Sequence, residues 1–145
     1  MAIISSETLH ASCVAIGDHA VLIEGRSGAG KSDLALRLID RGARLVSDDY
    51  TLVVRKGQTL VASAPATIAG RIEVRGIGIV AMPHVDDIPV ALLVDLAANV
   101  DRMPPEDSKR RIAGVDVAVV ALAGHEASAP IKLELALKNL EMIAR

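Results

Sequence analysis

Residues Gly25-Arg26-Ser27-Gly28-Ala29-Gly30-Lys31-Ser32 spell G-x-x-x-x-G-K-S, and no other stretch of the 145 residues limits the fold so strongly. The pattern works only between the end of a strand and the start of a helix. Both flanks fit. Ala20 to Ile23 is an apolar run, and Asp33 to Arg41 places Leu34, Ala35, Leu38 and Ile39 on one helical face before Gly42, a C-terminal cap. Glycines let successive backbone N–H groups turn inward into an anion-binding concavity, and the helix starting near Ser32 adds the positive end of its dipole. Gly25, Arg26, Ser27, Gly28, Ala29 and Gly30 therefore read as a cradle for a nucleoside triphosphate. Lys31 would reach its β- and γ-phosphates, and the Ser32 hydroxyl would ligate Mg²⁺.

The remaining composition bounds the class. With 51% apolar residues and a net charge of −2, residues 1–145 read as one globular domain with no leaning toward nucleic acid. Phe and Trp are absent and Tyr50 is alone, so base-stacking platforms are excluded, and an adenine ring would rest on aliphatic and backbone groups. Cys13 is the single cysteine, within Cys13-Val14-Ala15-Ile16, and reads as a small buried hydrophobe. No apolar run is long enough for a membrane helix and no basic-then-apolar leader opens the chain, so a cytoplasmic protein without membrane partners is expected.

Strand signals dominate. Thr8 to Ile16 and Ala20 to Ile23 form an expected hairpin around Gly17-Asp18, and Thr51 to Val54 with Thr59 to Ala62 a second around Lys56-Gly57-Gln58. Arg44 to Val46, Ile72 to Val80, Val90 to Leu96 and Val115 to Leu122 are further strands, while Asn99 to Arg111, with Pro104-Pro105, reads as an exposed loop. A closing helix from Ser128 carries the stripe Leu133, Ala136, Leu137, Leu140 and Ile143. Most chains with such a loop alternate strand and helix, so this excess of strands is unusual.

Phosphoryl transfer also needs a metal-side carboxylate, a base and a cation. Asp48-Asp49 ends the strand after the first helix, where an acid can face the metal, although a solvated acidic turn has the same pattern. In Arg71-Ile72-Glu73-Val74-Arg75-Gly76-Ile77-Gly78-Ile79 the charges Arg71, Glu73 and Arg75 would share one strand face. Gly76 and Gly78 would admit a ligand or another backbone closely.

Together these segments resemble the C-terminal kinase domain of the HPr kinase/phosphorylase family. That family pairs the loop G-x-S-G-x-G-K-S with a Val/Ala-Asp-Asp turn and an E-I-R-G-L-G-I-I segment, here Gly25–Ser32, Val46-Ser47-Asp48-Asp49 and Glu73-Val74-Arg75-Gly76-Ile77-Gly78-Ile79-Val80. The resemblance implies an α/β P-loop kinase domain with a mixed, strand-rich sheet akin to the nucleotide domain of phosphoenolpyruvate carboxykinase. It implies ATP- and Mg²⁺-dependent phosphorylation of a serine on HPr or an HPr-like phosphocarrier, by a homohexamer. His10 matches the family's catalytic histidine, although read alone a histidine at a strand start is more often structural. Asp49 matches the base and Glu73 the second Mg²⁺-associated carboxylate. Arg102 matches the catalytic arginine, and Lys31 stabilises the transition state as well as binding phosphate. The resemblance begins near the start of the sequence, so a single kinase domain without the family's separate N-terminal domain is expected. Ala123-Gly124-His125-Glu126-Ala127-Ser128-Ala129-Pro130 stands where the family carries P-V-x-P-G-R-N, which implies weak phosphate-driven reversal. His84 and His125 read as loop residues. A kinase for a small hydroxylated metabolite, or a nucleotide-binding regulator, would use the same loop.

Overall fold

The computed structural model describes residues 5–105 and 107–143. Its centre is a set of strands whose side chains alternate between two cores. β3 (His19–Gly25) sends Val21 and Ile23 to one face and Ala20 and Leu22 to the other, all fully buried. β2 (Ala11–Ile16) divides Val14 from Cys13 and Ala15 in the same way. Because both faces are covered, these strands read as unbroken apolar runs.

One face is covered by α1 (Lys31–Asp40) and α2 (Ala129–Ile143). α1 buries Leu34, Ala35 and Leu38 and stops at Arg41-Gly42, where Gly42 takes φ 108° and Ala43 N–H bonds to the Leu38 carbonyl at 3.0 Å. In α2, Leu133 and Leu137 are buried as the stripe requires, with Ala136 and Leu140 packed beside them; the Ile143 side chain lies outside the described ones. The other face meets β5 (Thr51–Lys56) and β6 (Thr59–Ser63), joined in the expected hairpin, with β1 (Ser6–Leu9) along β5.

The central order runs β4 (Arg44–Ser47), β2, β3, β9 (Ile88–Leu96), β11 (Val115–Leu122), β10 (Lys109–Ile112). β3, β9 and β11 are parallel, and β9 also pairs antiparallel with β6 at Ile88 and Pro89. This mixed sheet, with many strands and two described helices, is the α/β architecture anticipated from the sequence.

Three local readings change. The Ile72–Val80 run is not one strand but a hairpin of β7 (Arg71–Val74) and β8 (Gly78–Ala81). Its turn closes through Ile77 N–H to the Val74 carbonyl at 2.9 Å, with Gly76 at φ 87° in the position that demands a positive angle. Arg75 therefore sits in the turn and not on a strand face with Arg71 and Glu73. The end of the Asn99–Arg111 loop becomes β10, because Arg110 and Ile112 find an antiparallel partner in β11. Thr8 to Ile16 breaks at His10 into β1 and β2, which join different partners.

Candidate functional site

β3 ends at Gly25, β4 ends at Ser47, and β2, antiparallel to both, begins at Ala11. One edge of the sheet thus presents the glycine-rich loop, Asp48-Asp49 and His10 together. A cavity of about 660 Å³ opens on that edge, and its lining includes Lys31, Ser32, His10, Asp49, Glu73 and His125.

Asp48 is the hub. It is 7% exposed, and its Oδ1 accepts the hydroxyls of Ser32 at 2.6 Å and Ser12 at 2.8 Å, while Oδ2 accepts the Glu73 backbone N–H at 2.9 Å. The Ser12 oxygen in turn accepts the Asp49 N–H at 3.1 Å. A buried carboxylate is tolerable only when its lone pairs are taken up in this way. Ser32 Oγ and Asp48 Oδ1 meet at one point, which suits Mg²⁺: it takes one or two protein oxygens and completes its shell with water and phosphate.

Asp49 turns the opposite way. Its φ of 67° is left-handed, a conformation a short polar side chain tolerates better than most, and Tyr50 N–H closes the bend on the Asp48 carbonyl at 2.7 Å. The carboxylate that results is 58% exposed and accepts the Nε2–H of His10 at 2.9 Å. The His10 ring is stacked on Tyr50 with centroids 4.8 Å apart and planes 18° apart, which fixes its direction. Two successive acids thus have separate environments, one against a serine in the interior and one against an imidazole at the surface.

Lys31 is 8% exposed, and no carboxylate of the described residues pairs with it. Among the described residues its ammonium donates only to the carbonyls of Gly25 at 3.0 Å and Arg26 at 3.4 Å. A buried cation neutralised by nothing but dipoles is a strong demand for an anion. Gly28 and Gly30 take φ of 82° and 94°, so the loop shape depends on glycine at both positions.

The residues singled out in the sequence divide as follows. Gly28, Gly30, Ser27, Lys31, Ser32, His10, Asp49 and Glu73 line the first cavity, while Gly25, Arg26 and Ala29 line a neighbouring one. Glu73 reaches the Asp48 cluster through its main chain, its side chain being exposed on the cavity wall. Arg102 lies in the exposed loop after β9, outside the lining of both cavities. Ser12 and the His125 contact went unread. A lone serine inside the apolar strand Ala11–Ile16 was a readable signal, since a buried hydroxyl needs a partner. His125 gave none: its Nε2 donates to the Gly28 carbonyl at 2.9 Å across 97 positions of sequence.

A family model for the HPr Serine kinase C-terminal domain matches residues 2–141. The HPr kinase/phosphorylase of Lactobacillus delbrueckii subsp. bulgaricus is 30% identical over 94% of this chain and 45% of its own length. That of Lactobacillus johnsonii is 36% identical over 80% of this chain and 40% of its own. This chain spans less than half the length of these curated relatives. The solved structure of the Hpr(Ser) kinase/phosphatase from Coxiella burnetii superposes with a TM-score of 0.83 at 30% identity, covering 95% of this chain and 98% of that one.

Proposed function

The chain belongs to the HPr serine kinase C-terminal domain family, and from that premise we propose that it transfers the γ-phosphoryl group of ATP to a serine hydroxyl of HPr or an HPr-like phosphocarrier. One observation carries the reading: a buried Asp48–Ser32 couple and an exposed Asp49–His10 couple are joined through Ser12 at the edge where Lys31 pairs with no carboxylate of the described residues.

The roles follow from position. Lys31 exchanges its two carbonyl partners for phosphate oxygens, and the loop amides and the start of α1 hold the rest of the polyphosphate. Ser32 and Asp48 would hold Mg²⁺, with Glu73 as a further carboxylate by family likeness. Bound there, the ion would draw charge from the β- and γ-phosphate oxygens. Asp49 takes the proton of the attacking serine hydroxyl, the serine oxygen bonds to the γ-phosphorus, and the bond to the β-phosphate oxygen breaks to release ADP. His10 orients the Asp49 carboxylate through its N–H. Family likeness gives Arg102 a share of the charge on the transferring group. It also carries the expectation of a cytoplasmic homohexamer and, with Ala123–Pro130 in place of the family's C-terminal element, of weak phosphate-driven reversal.

The test is transfer from labelled ATP with Mg²⁺ to purified HPr, read as acid-stable phosphoserine, with Asp49→Asn beside the wild type. Transfer that vanishes in this variant while ATP binding stays within about twofold supports the assignment. Tight ATP binding with no transfer to any HPr-type acceptor would move the reading to a small-molecule kinase or a regulator.

A further inference from the structure

Tyr50 is the single Tyr of a chain that has no Phe and no Trp. Rings of this size stabilise a protein most when they fill its core. Here the core is aliphatic, and Tyr50 stands 45% exposed against the His10–Asp49 pair.

Its backbone is tied on both sides. Ser47 Oγ donates to the Tyr50 carbonyl, and Tyr50 N–H donates to the Asp48 carbonyl at 2.7 Å. The next residue, Thr51, opposes Leu9 in the β1–β5 register and donates its hydroxyl to the Ala11 carbonyl at 2.7 Å. Residues 9 and 11 are thus both held against Thr51, which brings His10, between them, against Tyr50.

The side chains of the pair have less to hold them. His10 and Asp49 are 53% and 58% exposed. A pair so open to water gains little from its charge and loses rotamer freedom when it forms. Among the described residues, the His10 ring has one hydrogen-bond partner, Asp49, and one stacking partner, Tyr50. A lone bond through Nε2 lets the imidazole swing about that bond. A ring stacked on it with planes 18° apart removes the swing.

We propose that Tyr50 is a positioning residue for phosphoryl transfer: its ring clamps His10, and His10 in turn holds the Asp49 carboxylate at the cavity. This rests on the reading of Asp49 as the base. Tyr50 lies outside the lining of both cavities, so the clamp acts on transfer and not on nucleotide binding. A stack of this kind biases an equilibrium by about two- to tenfold.

The test compares the wild type with Tyr50→Leu and Tyr50→Phe by kinetics of transfer to HPr, by ATP titration and by nuclear magnetic resonance of the histidine ring protons. Tyr50→Leu should lower kcat by about three- to tenfold and leave ATP affinity within about twofold. Tyr50→Phe keeps the ring and should return kcat to within about twofold of wild type. The His10 ring protons, shielded by the face of Tyr50, should move downfield in Tyr50→Leu and stay in place in Tyr50→Phe. His10→Gln identifies their signals among those of the four histidines. An unchanged kcat in Tyr50→Leu overturns the proposal, as does a kcat no higher in Tyr50→Phe than in Tyr50→Leu, or an ATP affinity that falls in step with kcat. If the wild type transfers to no HPr-type acceptor, the functional reading fails and the ring signals alone decide the clamp. A move in Tyr50→Leu but not in Tyr50→Phe then supports it, and any other pattern overturns it.

Discussion

Asp48→Asn changes one atom at the hub of the site, and the consequence can be worked from its hydrogen bonds. The carboxylate accepts two hydroxyls on Oδ1 and one backbone N–H on Oδ2. A carboxamide keeps the shape but has one oxygen. Turned toward Ser12 and Ser32, it sets its NH₂ against the Glu73 N–H; turned the other way, it sets the NH₂ against both hydroxyls. Either choice leaves a buried donor unpaired and replaces charge-assisted bonds with neutral ones, a cost of about 1–3 kcal/mol. For a domain of this size roughly 3 °C of melting temperature accompanies each kcal/mol, so a fall of about 3–10 °C is expected. The same variant should abolish the gain in ATP affinity that Mg²⁺ gives, because the oxygen beside Ser32 Oγ loses its charge, while ATP binding in EDTA persists. Thermal melting by circular dichroism and ATP titration with and without Mg²⁺ read the two effects. A melting temperature within about 1 °C of wild type together with an intact Mg²⁺ dependence would refute the reasoning, since Asp48 would then be neither the structural hub nor the metal-side acid.

Lys31→Met removes a buried cation that pairs with no carboxylate of the described residues, so the chain without ligand should melt no lower than wild type while ATP binding is lost; a clear fall in melting temperature argues against the unpaired-charge account. Gly124→Ala places a Cβ 2.7 Å from the Ala29 carbonyl oxygen and 3.0 Å from Leu96 Cδ1, so about 1–3 kcal/mol of stability should go and ATP binding weaken with the displaced loop, as melting and titration would show. Burial pushes the Cys13 thiol far above its usual range, so above about pH 8.5 the unfolded chain gives up this proton while the folded chain keeps it, and stability falls as pH rises. Denaturant melts from pH 7 to 10 should show a shallower decline in Cys13→Ala; identical slopes would remove the thiol from the account.

The glycine-rich loop, α1 with its Gly42 cap, the Thr51–Ser63 hairpin and β11 were all legible because each obeys a rule confined to a few neighbouring residues: a period, a cap, a turn, a fixed spacing. Three kinds of feature were not legible. A long β-branched run looks alike whether it is one strand or a hairpin, and the φ of Gly76 that folds β7 onto β8 is a choice made by packing. β10 exists only because β11 supplies a partner. The different fates of Asp48 and Asp49 depend on Ser12, 36 positions before Asp48, and on His10, 39 before Asp49.

By itself, then, the sequence determined that a glycine-rich loop joins a strand to a helix on a strand-rich sheet, because loop shape and helix start are local properties of the residues that form them. Only the tertiary structure decided which acid faces the serine and which the histidine, and that His125 reaches the Gly28 carbonyl from a loop that Arg37 holds at the Glu126 carbonyl. Those outcomes follow from strand order and direction, which carry distant residues to one edge of the sheet and leave no trace in local spacing.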